Sequence, residues 1–194
     1  MIGSPNAINH AHAISSRSLA GVQHISRPRF VTRPGDTLLY PTRFLDDLVP
    51  GERFDLGSLN IDEADMVGFA LKFDPQPHHV DQHAEETIAF GGLIASGMFT
   101  LSVAMKLLST TRLFGENSIL GRGIDAVRWP NPLRAGDTVH GRVEIIEVAL
   151  SSTGKKRGTV RLHLTLVKES GEVALVMEPL IILPCRATPP VEAE

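Results

Sequence analysis

In its last third the chain alternates between apolar and polar side chains, and few architectures can accommodate that alternation. Apolar residues recur at every second position over residues 139–145 and 160–166, and residues 173–183 are almost wholly apolar. A period of two is typical of strands with one buried face. The connection over residues 151–158 is short and contains glycine, so the sequence predicts an antiparallel meander.

A long apolar helix is predicted ahead of this meander, over residues 94–108. Its apolar positions recur at intervals of four and three residues, which places them on one helix face. The predicted stripe consists of Ile94, Met98, Leu101, Met105 and Leu108. Small residues are dense along the helix, so it can approach neighbouring backbone closely, and we expect it at the centre of the fold.

Shorter elements are predicted from residue 54 up to the meander, on both sides of the long helix. They are a strand over residues 54–59, a helix from Ile61, a short helix over residues 81–89 and a strand over residues 117–129. Asn60 is the predicted N-cap of the first helix, with Glu63 completing a capping box. Helices followed by strands indicate an α+β fold, with an antiparallel sheet wrapped around the long helix.

The 194 residues suffice for one domain with a sizeable core. We expect that domain over residues 36–185, followed by a C-terminal tail over residues 186–194. Residues 1–35 contain four arginines and no acidic residue. This basic arm is predicted to be irregular or wrapped on the surface. The alternative is an organellar transit peptide, because such peptides are also rich in Arg and Ser and poor in acids.

Composition excludes several classes of protein. The formal net charge of −3 gives no indication of nucleic acid or a membrane surface as a partner. No apolar run reaches the length of about 18 residues that a membrane-spanning helix needs. The single cysteine, Cys185, cannot form an internal disulfide or a cysteine-built zinc site. A reducing compartment, the cytoplasm, is therefore the predicted location.

Asp74 and His79 are the leading candidates for chemistry. They lie five residues apart across a segment stiffened by Pro75 and Pro77, and proline lowers the entropy cost of holding one loop shape. Adding water across a carbon–carbon double bond needs one group that takes a proton from water and another that delivers a proton to carbon. The alternative is that Asp74 caps a helix end and the histidines are surface residues.

Metal binding is a second possibility at the same segment. His79 and His83 are four residues apart and would share a helix face, with His78 and Asp81 close by. A zinc site needs three or four ligands, and the cluster lacks a Glu placed as in a His-Glu-x-x-His motif. The sequence therefore predicts no metal.

Three motifs, taken in order, resemble those of the MaoC-like dehydratases, a family that includes the (R)-specific enoyl-CoA hydratases. The matching positions are Asp74, His79, Val80 and Asp81, then Phe90 to Met98 with Ser102, then Pro132, Gly136 and Asp137. Gln76 stands where the family commonly has Asn, and Phe73 where Gly often precedes the Asp. The resemblance spans about residues 44–184, and the N-terminal arm has no counterpart in it.

The resemblance implies a single hotdog domain that hydrates a trans-2-enoyl-CoA to an (R)-3-hydroxyacyl-CoA without a cofactor. Asp74 and His79 would hold and activate one water. Backbone N–H groups at Ser96 and Gly97 would polarise the thioester carbonyl, since a helix N-terminus presents free donors. Ser102 would support the site, or would be a buried residue that bonds the carbonyl four positions back.

Three further residues are weaker candidates for substrate binding: Gln76, His78 and Arg128. We expect His78 to point away from His79 if the chain is extended there. The expected partners are an acyl-CoA or acyl-carrier-protein thioester and a second copy of the chain, because a sheet edge invites pairing into a homodimer or a higher homo-oligomer.

Two other functions remain open from the sequence. A hotdog thioesterase would hydrolyse the same kind of substrate, but its usual carboxylate lies on the long helix, and residues 94–108 contain no Asp or Glu. A non-catalytic acyl-CoA-binding subunit is the other alternative, and it would not need both Asp74 and His79.

Overall fold

The computed structural model describes residues 39–118, 120–153 and 155–186. The predicted arm over residues 1–35 and the predicted tail beyond Arg186 lie outside these ranges. The helices are α1 (Glu63–Phe73), α2 (Pro77–Val80), α3 (Glu85–Ala89) and α4 (Gly97–Thr110), and the strands are β1 (Arg53–Asn60), β2 (Leu120–Arg128), β3 (Thr138–Leu150), β4 (Arg157–Lys168) and β5 (Val173–Pro184).

The five strands form one antiparallel sheet in the order β1-β3-β4-β5-β2. The predicted meander is confirmed as β3, β4 and β5, and the α+β architecture is confirmed with it. Alternation sets which face is buried: in β4 the even-numbered residues are buried, Val160 and Leu162 among them, while the odd-numbered ones are partly exposed. One face of the sheet thus carries the core, and β1 and β2 form the two edges.

Helix α4 packs on the buried face, against β1, β3, β4 and β5. Gly141 in β3 permits the close approach, since a Cβ there would lie 3.0 Å from the side chain of Leu56 and 3.1 Å from that of Leu107. The predicted central position of the long helix is confirmed. No helix in the described ranges is long and apolar enough to cross a membrane.

The predicted apolar stripe of α4 is confirmed in part. Leu108 is buried and Leu101 and Met105 pack against the core, whereas Met98 is exposed and Ile94 precedes the helix. The buried positions are Thr100, Val103, Ala104, Leu107 and Leu108. Thr100 and Ala104 are small enough for the helix to lie close to the sheet, and Met98 lies off this face, 49% exposed. The helix also begins at Gly97 rather than Ile94. Residues 94 and 95 instead bond to neighbouring segments, with Ile94 N–H donating to His78 O and Ala95 N–H to Leu133 O.

The predicted cap of the first helix is also wrong. Asp62 is the N-cap, and its carboxylate accepts a hydrogen bond from the Asp65 N–H. The helix cannot begin at Ile61 because Ile61 still bonds in strand fashion, donating to Asp137 O and accepting from Gly136 N–H. Asn60 ends β1, and its amide reaches Gly136 O and the Thr138 hydroxyl.

The helix predicted over residues 81–89 forms only in its second half, as α3 (Glu85–Ala89), and a separate short helix, α2 (Pro77–Val80), precedes it. Between them the Asp81 carboxylate accepts a hydrogen bond from the His83 N–H at 2.8 Å. Such a local side-chain bond competes with the helical ladder and favours a turn. The break leaves His79 on α2, in the turn that directly follows the proline-rich segment.

Candidate active site

Asp74 lies at the point where α1 ends. Its N–H still donates to Ala70 O at 2.9 Å, while its own backbone has left the helical conformation. Pro75 prevents the helix from continuing, because proline disfavours helical backbone at the preceding residue. The Asp74 side chain is thereby directed away from α1, and 25% of it remains exposed.

His79 is held in one orientation by the backbone. Pro77 begins α2, and the His79 side chain is only 6% exposed. Its Nδ1 lies 2.8 Å from Ile94 O. A carbonyl oxygen can only accept, so Nδ1 carries a proton, and in the neutral tautomer Nε2 keeps a free lone pair.

The two candidate residues meet at their reactive atoms. Nε2 of His79 is 3.5 Å from Oδ2 of Asp74. With Nδ1 protonated, both facing atoms are hydrogen-bond acceptors, so a donor such as water can bond to both. The predicted proximity of Asp74 and His79 is confirmed, and the arrangement can bind and deprotonate one water.

Ser96 connects this pair to the central helix. Its hydroxyl donates to Oδ2 of Asp74 at 2.6 Å and accepts from the Met98 N–H at 3.2 Å. Ser96 is fully buried and is the N-cap of α4. The sequence predicted that the backbone N–H of Ser96 binds the thioester carbonyl. In the structure, the Ser96 side chain contacts the Asp74 carboxylate.

These contacts lower the pKa of Asp74 below its ordinary value. The Ser96 hydroxyl is the largest cause, followed by the Gln76 amide, which donates to Oδ1 at 2.8 Å. Hydrogen bonds to a carboxylate favour its charged form. Partial burial acts in the opposite direction but is outweighed. Asp74 is therefore ionised at neutral pH.

The first turn of α4 supplies backbone donors next to this carboxylate. The first N–H groups of a helix have no intrahelical acceptor. Met98 N–H is satisfied by Ser96, whereas Gly97 N–H is the first helical donor and adjoins Ser96 in the chain. These positions fit the predicted role of Gly97 in binding a carbonyl oxygen, which remains a prediction.

The three weaker candidates for substrate binding differ in their contacts with Asp74 and His79. Gln76 bonds Asp74 and is otherwise exposed. His78 does not point away from His79, because α2 is helical there: the two ring centroids are 4.1 Å apart, and the ring of Phe90 is 5.3 Å from that of His78. Arg128 ends β2 opposite Val176 and is exposed.

The prediction that Ser102 is buried is wrong. Ser102 is exposed on α4, and its hydroxyl donates to Met98 O at 2.9 Å. The error follows from Met98, which the predicted stripe placed on the buried face although it is 49% exposed. The bond to the carbonyl four positions back is the structural role that the sequence offered as an alternative.

Two residues near the pair were missed by the sequence analysis. Arg134 donates to Gly92 O and Leu93 O, at 2.9 and 3.1 Å, and so holds the segment that leads into α4. Trp129 donates from Nε1 to Gly97 O at 3.0 Å. Trp129 is the only tryptophan of the chain and directly precedes a proline, which was the one available signal.

Within the ranges that the structure describes, no three His, Cys, Asp or Glu side chains come together as a metal site requires. His83 instead contacts Gln82, its Nε2 lying 3.2 Å from the Gln82 amide nitrogen.

Comparisons with known proteins agree with the resemblance. A family model described as a MaoC like domain matches residues 47–168. An (R)-specific enoyl-CoA hydratase of Rhodospirillum rubrum is 29% identical over 144 residues, which cover 74% of this chain and 93% of that protein.

Solved structures give the same result. The MaoC-like dehydratase from Rhodospirillum rubrum superposes with a TM-score of 0.69 and 34% identity, covering 75% of this chain and 99% of that one. A Mycobacterium tuberculosis protein with a double hotdog fold gives a TM-score of 0.56 at 17% identity, covering 79% of this chain and 47% of that one. The predicted hotdog fold is confirmed.

Replacing Ser96 with Ala should raise the pKa of Asp74, because the change deletes the hydrogen bond that most favours the ionised carboxylate. A carboxyl group whose pKa is lower in the folded than in the unfolded state stabilises the fold at pH values above its ordinary pKa. This contribution is lost as the pH falls through the folded-state pKa. The contribution should therefore be smaller in the variant, and its loss should be complete at a higher pH. The measurement is a carbon NMR titration of the Asp74 carboxyl group.

Ser109→Ala is the matched control, since Ser109 is an exposed α4 serine that bonds Met105 O. It should leave the Asp74 titration unchanged. An unchanged Asp74 titration in Ser96→Ala would contradict the interpretation.

Proposed function

We propose that this chain, which belongs to the MaoC-like dehydratase family, interconverts a trans-2-enoyl thioester and an (R)-3-hydroxyacyl thioester by adding or removing one water. The family supports hydration or dehydration of an acyl thioester in general terms. The finer assignment depends on one observation, the 3.5 Å approach of Asp74 Oδ2 and His79 Nε2 with the proton of His79 fixed on Nδ1.

In the proposed hydration step, a water lies between Oδ2 of Asp74 and Nε2 of His79. The pair takes a proton from this water as its oxygen bonds to C3 of the enoyl thioester and the C2–C3 double bond breaks. The electron pair moves onto the thioester as an enolate. The proton held by the pair is then delivered to C2, so the net change is the addition of one water.

The developing enolate oxygen needs stabilisation. The Gly97 N–H is well suited because it stands at the N-terminus of α4, where the helix dipole adds a positive field. Ser96 keeps this turn beside Asp74 through its 2.6 Å bond. The water site and the oxyanion site would then lie on adjoining residues.

Hydrolysis of the thioester is the less suitable alternative. Helix α4 contains a single charged residue, Lys106, and no carboxylate along Gly97–Thr110. The carboxylate that a hotdog thioesterase uses on this helix therefore has no counterpart here.

The catalytic pair is tested by removing each member in turn. Asp74→Asn and His79→Ala should each lower kcat/KM for crotonyl-CoA by at least about 100-fold, because positioned acid–base groups contribute on that scale. The measurement is the loss of absorbance of the enoyl thioester band, with circular dichroism as the check on folding.

His83→Ala is the control, since His83 is an exposed histidine close by in sequence. It should retain activity. Activity retained in Asp74→Asn or His79→Ala would move the chemistry to other residues, and inactivity of the unaltered protein over a range of enoyl chain lengths would refute the proposed function.

We further propose that the chain forms a homodimer through β2. Among the residues that the structure describes, this edge strand pairs with β5 alone and is exposed along nearly its whole length. Its exposed side chains include the apolar residues Leu120 and Ile124, and an unpaired apolar edge favours pairing with a second copy.

Sedimentation should accordingly give twice the chain mass of 21.0 kDa. Ile124→Lys places a charge on the edge and should shift the protein to the monomer. Leu150→Lys, at an exposed apolar position outside β2, should leave the dimer intact. A stable monomer of the unaltered chain would contradict the proposal.

A further inference from the structure

Trp129 covers the first turn of α4. Its Nε1–H donates to Gly97 O at 3.0 Å. Its ring lies so close to Gly97 that a Cβ there would stand 3.0, 3.1 and 3.3 Å from three indole atoms. Burial alone does not account for this contact, because 43% of Trp129 is still exposed.

The strand that leads to Trp129 has an unusual conformation. Ala126 adopts φ 48°, and the pairing of β2 with β5 shifts between Asp125 and Arg128. Positive φ is uncommon for alanine, and bulges of this kind re-aim the side chains that follow. Asp125 is anchored before the bulge by an ion pair with Arg161 at 2.5 Å.

The first turn of α4 is therefore held from two sides. On the sheet side, Trp129 bonds Gly97 O, and Leu133 O accepts from Ala95 N–H. On the other side, the Ser96 hydroxyl donates to Asp74. Ser96 lies between the two residues that the sheet side holds, so a movement of Gly97 displaces Ser96 relative to Asp74.

We propose that Trp129 is a positioning residue of the active site, which holds Gly97 in place so that the Ser96 hydroxyl stays on the Asp74 carboxylate. The inference rests on the proposed function for the importance of Asp74. Trp129 itself takes no proton and acts through the backbone of α4. Loss of its hydrogen bond would loosen the first turn and weaken the bond between Ser96 and Asp74.

Two variants test this role by different means. Trp129→Phe removes the N–H but keeps an aromatic ring. Gly97→Ala places a Cβ 3.0 Å from the indole, which must then shift by a few tenths of an ångström. Each should raise the pKa of Asp74 in a carbon NMR titration, to a value between those of the unaltered protein and Ser96→Ala. Each should also lower kcat for crotonyl-CoA about tenfold with little change in KM, because the geometry of the reacting groups is disturbed.

Tyr40→Phe is the matched control. Tyr40 likewise donates from an aromatic side chain to a backbone carbonyl, Asp55 O at 2.8 Å. The control should lose comparable stability and leave both the Asp74 titration and kcat unchanged. In Gly97→Ala, the fluorescence of Trp129, the sole tryptophan, should report the displaced indole.

The outcomes separate this inference from the proposed function. The carboxyl titration needs no turnover, so it decides the role of Trp129 even if the unaltered protein fails to hydrate crotonyl-CoA. An Asp74 titration in Trp129→Phe that coincides with the unaltered protein would overturn the inference. A raised KM with unchanged kcat would also overturn it, because it would make Trp129 a substrate contact.

Discussion

The Ser96 hydroxyl is the contact on which the site depends. It donates to Asp74 and accepts from the Met98 N–H, so one oxygen both caps the central helix and fixes the carboxylate. An N-cap of this kind is worth about 1 kcal/mol to a helix. The same bond is the largest cause of the lowered pKa of Asp74, whose carboxylate faces Nε2 of His79. The Ser96 hydroxyl therefore links the start of α4 to the pair formed by Asp74 and His79.

Much of this structure could be predicted from the order of apolar, polar and proline residues within short segments of the sequence. The meander of β3 to β5 follows from side-chain alternation, because one face of each strand must be buried. The approach of Asp74 and His79 follows from Pro75 and Pro77, which stop α1 and begin α2 within a few residues. Both conclusions concern residues close in sequence, where backbone preferences decide the conformation.

The contacts that could not be predicted join residues distant in sequence. The buried face of α4 depends on how closely the sheet approaches, which Gly141 controls from β3. The start of α4 depends on Leu133 accepting a hydrogen bond from Ala95. The position of Trp129 depends on a bulge at Ala126 and on its contact with Gly97, 32 residues before Trp129 in the chain. Helical periodicity alone fitted a second face equally well, and that ambiguity produced the errors for Met98 and Ser102.

The most direct test of the central claim is the stereochemistry of hydration in deuterium oxide. A single water held by Asp74 and His79 reaches only one face of the enoyl thioester, so its oxygen and its deuteron should add from the same side. We expect an (R)-3-hydroxyacyl product with one deuterium at C2, in the syn relationship, read from NMR coupling constants. An anti product, or a mixture of configurations at C2 formed during the addition itself, would contradict it.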